Sequence, residues 1–463
     1  MLGGGRPAIS RVLPMFLVAV VSGGCGSDAT APGGPQGEGA LDPSPQEVPS
    51  EAAAWLKSTV SPFGGTHLSL PHDDLDVLRD LVGDARIVAL GENTHGTRDF
   101  FEMKARILRF LVEEMGFDAF LIEATWPESN RLDRYVRTGE GDVGQYLTGL
   151  YFWTWRTEAV LEMIQWMRSH NAAGGSVGFY GFDMQYPGMA VANVVRYVAD
   201  VDPAMLPETE ARLACLARYA NDHRGAFPSA PYAEAGAPFQ TECLASLRAE
   251  EARLVADRDV YVVRSNARAF ALALQSLRVA IQYHLVEVDD RSRDEFMAEN
   301  TAWWARQLGP HSRVVLWAHN FHVSTRPGAQ GAWLRQIFGD DMVVFGFSHE
   351  EGAFTAVTQH GSQYANLEQH NLDPVLPGSY ESFFATTDAP RFFLDLRNRN
   401  LSTAASSWLS GPLRFRSIGC CYDPGLTENY WTTTTLPTVF DVVIHIRRTR
   451  ATTLLPARYP TRF

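Results

Sequence analysis

Cysteine is scarce in this chain, five in 463 residues, and no two of them form a CxxC pair. Structural zinc sites are commonly built on such pairs, so a zinc module is excluded as the organising feature. HExxH, the helical motif of zinc peptidases, is absent too. Basic residues never follow one another in more than a pair, and the formal charge is −13 at pH 7. That balance excludes a nucleic-acid partner. A membrane span needs about 20 consecutive apolar residues, and the run from Val12 to Val21 is too short.

Apolar residues make up 45% of the chain and charged residues 20%, ordinary proportions for a globular protein with a large core. Arg6 and Arg11 precede the Val12 to Val21 run, which ends in Ser22-Gly23-Gly24-Cys25. This is the layout of a secretory signal over residues 1–25. The small residues before Cys25 resemble a bacterial lipobox, with Ser22 where that pattern has Leu or Val. Export is expected, with Cys25 lipidated at the cell envelope; cleavage by an ordinary signal peptidase is the alternative. Loss of the two arginines takes the mature charge from −13 to −15. Residues 26–50 are rich in Gly, Pro, Ala and Ser and are expected to form a flexible tether. Of the other cysteines, Cys215 and Cys243 lie in consecutive helical stretches and are the expected disulfide. Adjacent Cys420 and Cys421 are expected not to bond, because neighbouring side chains diverge.

Short apolar runs bounded by polar loops predict buried strands at Ile87 to Leu90, Ala119 to Ile122, Val177 to Tyr180 and Val314 to Trp317. Further strands are expected at Val343 to Gly346, Ala353 to Val357, Phe392 to Leu396, Leu413 to Ser417 and Val439 to Ile446. Helical spacing marks Asp73 to Val82, Phe100 to Met115, Arg131 to Arg137 and Glu158 to Met167, with Gly116 stopping the second. Residues 203–307 are Ala-, Leu-, Glu- and Arg-rich at helical spacing. The fold class is therefore α/β: a mainly parallel central sheet flanked by helices, with an inserted, capping all-helical subdomain.

In open parallel sheets, ligands bind beyond the carboxyl ends of the strands. Glu92 and His95 occupy the loop where the first strand ends, and Glu123 sits where the second ends. Glu92 is within reach to orient the His95 imidazole, the arrangement of a general base. Gly91 and Gly96 are read as letting the backbone approach a ligand. His319 and His322 form an HxxH after the Val314 to Trp317 strand. One of them would serve as an acid or as a clamp on a developing oxyanion. Alternatively both would ligate a metal with Glu92 or Glu123. Asp183, closing the third strand, and Lys104, in the following helix, are candidate substrate contacts; Lys104 would otherwise snorkel to water. Trp153 and Trp155 are either core residues or the wall for a large, partly apolar or saccharide-like substrate. Gly174-Gly175-Ser176-Val177-Gly178 spells GxSxG, but a helix precedes it and a strand follows, the reverse of a nucleophile elbow.

The motifs GENTHGTRDFFEMKARILRFLVEEMGFDAFLIEA, YFWTWRTEAVLEMIQWMR, VGFYGFDMQ, RDEFMAENTAWW, VVLWAHNFHV, RSIG and FDVVIHI occur in this order from about Arg86 to Ile446. Together they resemble the erythromycin esterase family, which includes relatives named for succinoglycan biosynthesis. The resemblance implies that residues 51–463 are a catalytic domain hydrolysing an ester or lactone, macrolides being the known substrate class. It implies His95 as the water-activating base, Glu92 as its acidic partner, Glu123 as an acidic site residue and His319 with His322 as the second histidine pair. Lys104 stands where macrolide-cleaving members carry arginine, and an ammonium is not equivalent to a bidentate guanidinium. No cofactor is required on this reading. The alternatives are a metal-dependent hydrolase in the same cleft and a non-catalytic surface lipoprotein that binds a saccharide or small ligand.

Overall fold

The computed structural model describes residues 47–219, 231–397 and 403–458. The expected signal segment with Cys25, and the tether up to residue 46, lie outside the described residues. Among those described, no helix is long and apolar enough to cross a membrane.

Among the described residues, twelve strands are numbered in chain order: β1 (Ser61–Pro62), β2 (Ile87–Leu90), β3 (Ala119–Thr125), β4 (Gly178–Asp183), β5 (Val314–Trp317), β6 (Met342–His360), β7 (Gln363–Asn371), β8 (Arg391–Asp395), β9 (Leu413–Arg416), β10 (Cys421–Tyr422), β11 (Trp431–Thr434) and β12 (Val442–Thr449). The main sheet runs β1-β8-β12-β6-β2-β5-β3-β4. From β12 to β4 every neighbour is parallel, and β8 and β1 close one edge antiparallel. Successive strand residues face opposite sides. Ile87 and Ala89 accordingly enter one core and Val88 and Leu90 the other. Val314 and Leu316 divide from Val315 and Trp317 in the same way. Burial on both faces is why these strands read as unbroken apolar runs.

The helix Arg98–Met115 packs Phe101, Leu108 and Leu111 into the second core and ends at Gly116, which takes φ +71°. Between β4 and β5 the described residues from Gly188 to Leu308 are mainly helical, beginning earlier than residue 203 because Gly188–Val201 already packs with the later helices. Cys215 and Cys243 are joined by a disulfide with Cα atoms 5.6 Å apart.

Two expectations change. The strands anticipated at 343–346 and 353–357 are one strand, β6, of 19 residues. Its first half is buried on both sides, and its second half mixes partly exposed residues with buried ones, so the two halves look like separate elements in sequence. Gly352, at φ +118°, marks where β6 exchanges β12 for β7 as its partner. The side chains of Cys420 and Cys421 do not diverge: a bend at Cys420 brings their sulfurs to 3.1 Å.

Candidate active site

β2 and β5 are parallel neighbours with Leu90 opposite Trp317, so their carboxyl ends release two loops side by side. Asn320 ties the loops together. Its amide donates to the Glu92 carbonyl at 2.7 Å, while its side chain exchanges hydrogen bonds with both the amide and carbonyl of Phe347. Gly91 must be glycine because a Cβ there would lie 2.1 Å from Asn320 Oδ1; at Gly96 it would lie 1.8 Å from the Thr355 carbonyl oxygen. Both glycines thus admit the protein's own atoms, which corrects their reading as ligand contacts.

Glu92 is fully buried and both its oxygens are held. Oε1 accepts from His95 Nδ1 at 2.7 Å; Oε2 accepts from Trp317 Nε1 at 2.8 Å and pairs with the Lys104 ammonium. A carboxylate only accepts, so Nδ1 carries the His95 proton. Nε2, across the ring, is then the basic nitrogen of the neutral tautomer. Lys104 corrects its expectation as a substrate contact. It is wholly buried beneath Glu92, with Nζ 4.0 Å from the centre of the Trp317 ring, and neither faces a ligand nor reaches water. Burial lowers its pKa from 10.5 to about 8, against the opposing pull of the Glu92 and Glu123 carboxylates.

A second cluster is centred on Arg293, at the start of the helix Arg293–Leu308. Its Nη2 donates to Glu123 Oε1 and Asp183 Oδ2, each at 2.8 Å. Its Nη1 lies 3.2 Å from His322 Nε2. His322 Nδ1 is 2.8 Å from Asp294 Oδ1, which also accepts the Gln330 amide. Glu123 lies inside β3 rather than at its end, and its Oε2 accepts the His319 amide at 2.9 Å. His319 links the two clusters, its ring centroid 5.0 Å from that of His95 and 6.5 Å from that of His322. Its Nε2 donates to the Ile418 carbonyl, and its Nδ1 accepts from Phe321.

The remaining sequence candidates take supporting places. Trp155 is buried, donates to the Glu123 carbonyl at 2.9 Å and lies edge-on to His95 at 6.2 Å; it is core rather than open wall. Trp153 is half-buried. Asp183 is fully buried and engaged by Arg293 and the Met184 amide, which corrects its expectation as a direct substrate contact. A metal fits poorly, because the Arg293 guanidinium already joins Glu123 to Asp183 and both nitrogens of His319 bond to backbone. Among the described residues, no group of three or more His, Cys, Asp or Glu is arranged to hold a metal ion. Arg293 and Asp294 were missed in the sequence. They sit in a charged run, Arg291-Ser292-Arg293-Asp294-Glu295, that looks like an exposed helix start, and Ser292 does cap the helix.

Known proteins share this architecture. An erythromycin esterase type II of Escherichia coli is 23% identical over 381 residues, which cover 74% of this chain and 88% of that protein. The crystal structure of a succinoglycan biosynthesis protein superposes with TM-score 0.75 at 23% identity, covering 89% of this chain and all of the other. An erythromycin esterase EreC mutant in its open conformation superposes with TM-score 0.65 at 18% identity, over 82% of this chain and 95% of the other. The erythromycin esterase family profile matches residues 112–449. The chain belongs to the erythromycin esterase family, and with it to the hydrolases of that kind.

Proposed function

We propose that the protein hydrolyses a carboxylic ester or lactone with a water molecule activated on His95 Nε2. The observation that carries this reading is the 2.7 Å contact between His95 Nδ1 and a Glu92 carboxylate that Trp317 and Lys104 hold in place. Glu92 fixes the tautomer and stabilises the imidazolium that forms as the water gives up its proton. The water oxygen bonds to the carbonyl carbon, and negative charge collects on the former carbonyl oxygen. Arg293 and His322, in the cluster that His319 joins to His95, are suited to that charge or to protonating the departing alkoxide. Collapse then breaks the C–O bond and releases acid and alcohol.

Incubating the protein with a panel of simple esters and macrolactones in ¹⁸O-water should place the label in the acid product alone. Label in the alcohol, or no release of acid from any member, would overturn the proposal. Asp294→Asn should lower kcat about 10- to 100-fold, the scale seen when a partner orienting a site histidine is lost. Steady-state kinetics alongside circular dichroism would check it, and an unchanged kcat would remove His322 from the reaction.

A further inference from the structure

The helix Trp126–Thr138 opens with Thr125-Trp126-Pro127-Glu128, the spacing of a capping box, in which the first and last residues bond to each other's amides. The structure leaves that box open. Thr125 makes no cap hydrogen bond; Thr125 Oγ1 and both Glu128 carboxylate oxygens are buried and close no hydrogen bond of ordinary geometry, although the Glu128 and Met189 amides stand near the carboxylate. Glu128 is only 2% exposed. Burial pushes its pKa up to about 7, and its own amide, the Thr125 hydroxyl, Arg131 and the Met189 amide offset this only in part. Leaving polar atoms buried and unpaired is destabilising, so stability does not explain this position.

Its surroundings point to a ligand. Thr125 lies opposite Asp183 in the β3–β4 register, which sets Glu128 one helical turn beyond the Asp183–Arg293 pair. Burial, with Asp183, Tyr151 and Glu128 nearby, holds the Tyr186 phenol well above its ordinary pKa, so Tyr186 neighbours both groups. The Tyr151 and Phe152 rings pack on Tyr186 with centroids 4.8 and 5.5 Å away. Tyr151 takes φ +68°, a left-handed conformation that bulky residues avoid and that is retained mainly at functional sites.

We propose that Glu128 and Thr125, with the rings of Tyr151, Phe152 and Tyr186, form a subsite beside the Arg293 cluster that takes a hydroxyl-bearing arm of the substrate. This deepens the hydrolytic reading above and rests on it. A protonated carboxyl donates one hydrogen bond and accepts another, and a threonine hydroxyl does the same; a pair of neighbouring alcohol groups offers the complementary pattern. The rings would cover the apolar face of such a polyol or saccharide.

The test compares esters that differ only in hydroxylation: glyceryl butyrate against propyl butyrate, and methyl gluconate against methyl hexanoate. Wild-type kcat/KM should favour the hydroxylated member of at least one pair about tenfold, the value of one good hydrogen bond. Glu128→Leu should bring that ratio near one, and Glu128→Gln, whose amide also donates and accepts, should restore much of it. A purely structural role would leave the ratio unchanged in both variants. Should Glu128→Leu fail to fold, Thr125→Val gives the same comparison. No preference in wild type on either pair, or a preference that survives in Glu128→Leu, overturns the subsite while leaving the hydrolysis intact. If wild type cleaves no ester, the hydrolytic reading fails separately. Equilibrium dialysis with methyl glucoside then decides the subsite: retention by wild type and loss in Glu128→Leu supports it, and equal retention overturns it.

Discussion

His95→Ala should lower kcat about 10²- to 10⁴-fold on any ester the protein cleaves, the usual contribution of a positioned general base. Its melting temperature should shift by no more than a few degrees. The two effects separate because Glu92 keeps other donors when the imidazole is gone: Trp317 Nε1 at 2.8 Å and the Lys104 ammonium. No charge is left stranded in the core, so the large destabilisation that follows an orphaned buried carboxylate is not expected. The ring is removed from a position where it meets Trp155 at 6.2 Å and His319 at 5.0 Å. The loss of packing is therefore modest. Initial rates and thermal melts on the same preparations check both halves, and added imidazole should restore part of the rate. A variant that turns over like wild type removes His95 as the base.

How much of this was readable beforehand depends on the kind of signal each residue carries. β2 and β5 lie where the apolar runs put them, since four consecutive buried residues between polar loops leave little choice of register. Glu92, His95, His319 and His322 come together because parallel neighbours release their loops at the same edge of the sheet, which topology alone implies. Arg293 is different. It reaches Glu123 across 170 residues of chain, from a helix outside the sheet, and nothing in a local window of sequence records that crossing. Lys104 misleads for a related reason. Helical spacing assigns it to a face, but the face it joins is covered by Trp317 and Phe347, both distant in sequence. The length of β6 escaped because a strand that is buried on both sides and then leaves the main sheet changes its pattern halfway.

Lys104→Met should be among the most damaging substitutions in the molecule, destabilising it by about 3 kcal/mol or more. Lys57 and Lys104 are the only lysines in the chain, and Lys104 is the one buried completely. Methionine nearly matches it in volume, so cavity formation contributes little. What remains is a Glu92 carboxylate in a dry setting with only neutral donors from Trp317 and His95. The imidazole is then drawn towards its protonated form, in which Nε2 no longer accepts a proton, so turnover should fall together with stability. The pH dependence has a definite sign. The folded-state pKa of Lys104, about 8, lies below the ordinary 10.5, so the unfolded chain binds the extra proton between those values. Its contribution to stability therefore rises with pH across that window, by about 3 kcal/mol in full. Denaturant titrations at pH 7.5 and pH 10 should show the gap between wild type and Lys104→Met widening at the higher pH. Turnover should move the other way: as Lys104 loses its proton above about pH 8, Glu92 loses its cation and the clamp on His95 loosens. A gap that stays constant between those two pH values would mean that Lys104 remains protonated throughout, and that the ammonium, rather than burial, governs this corner of the site.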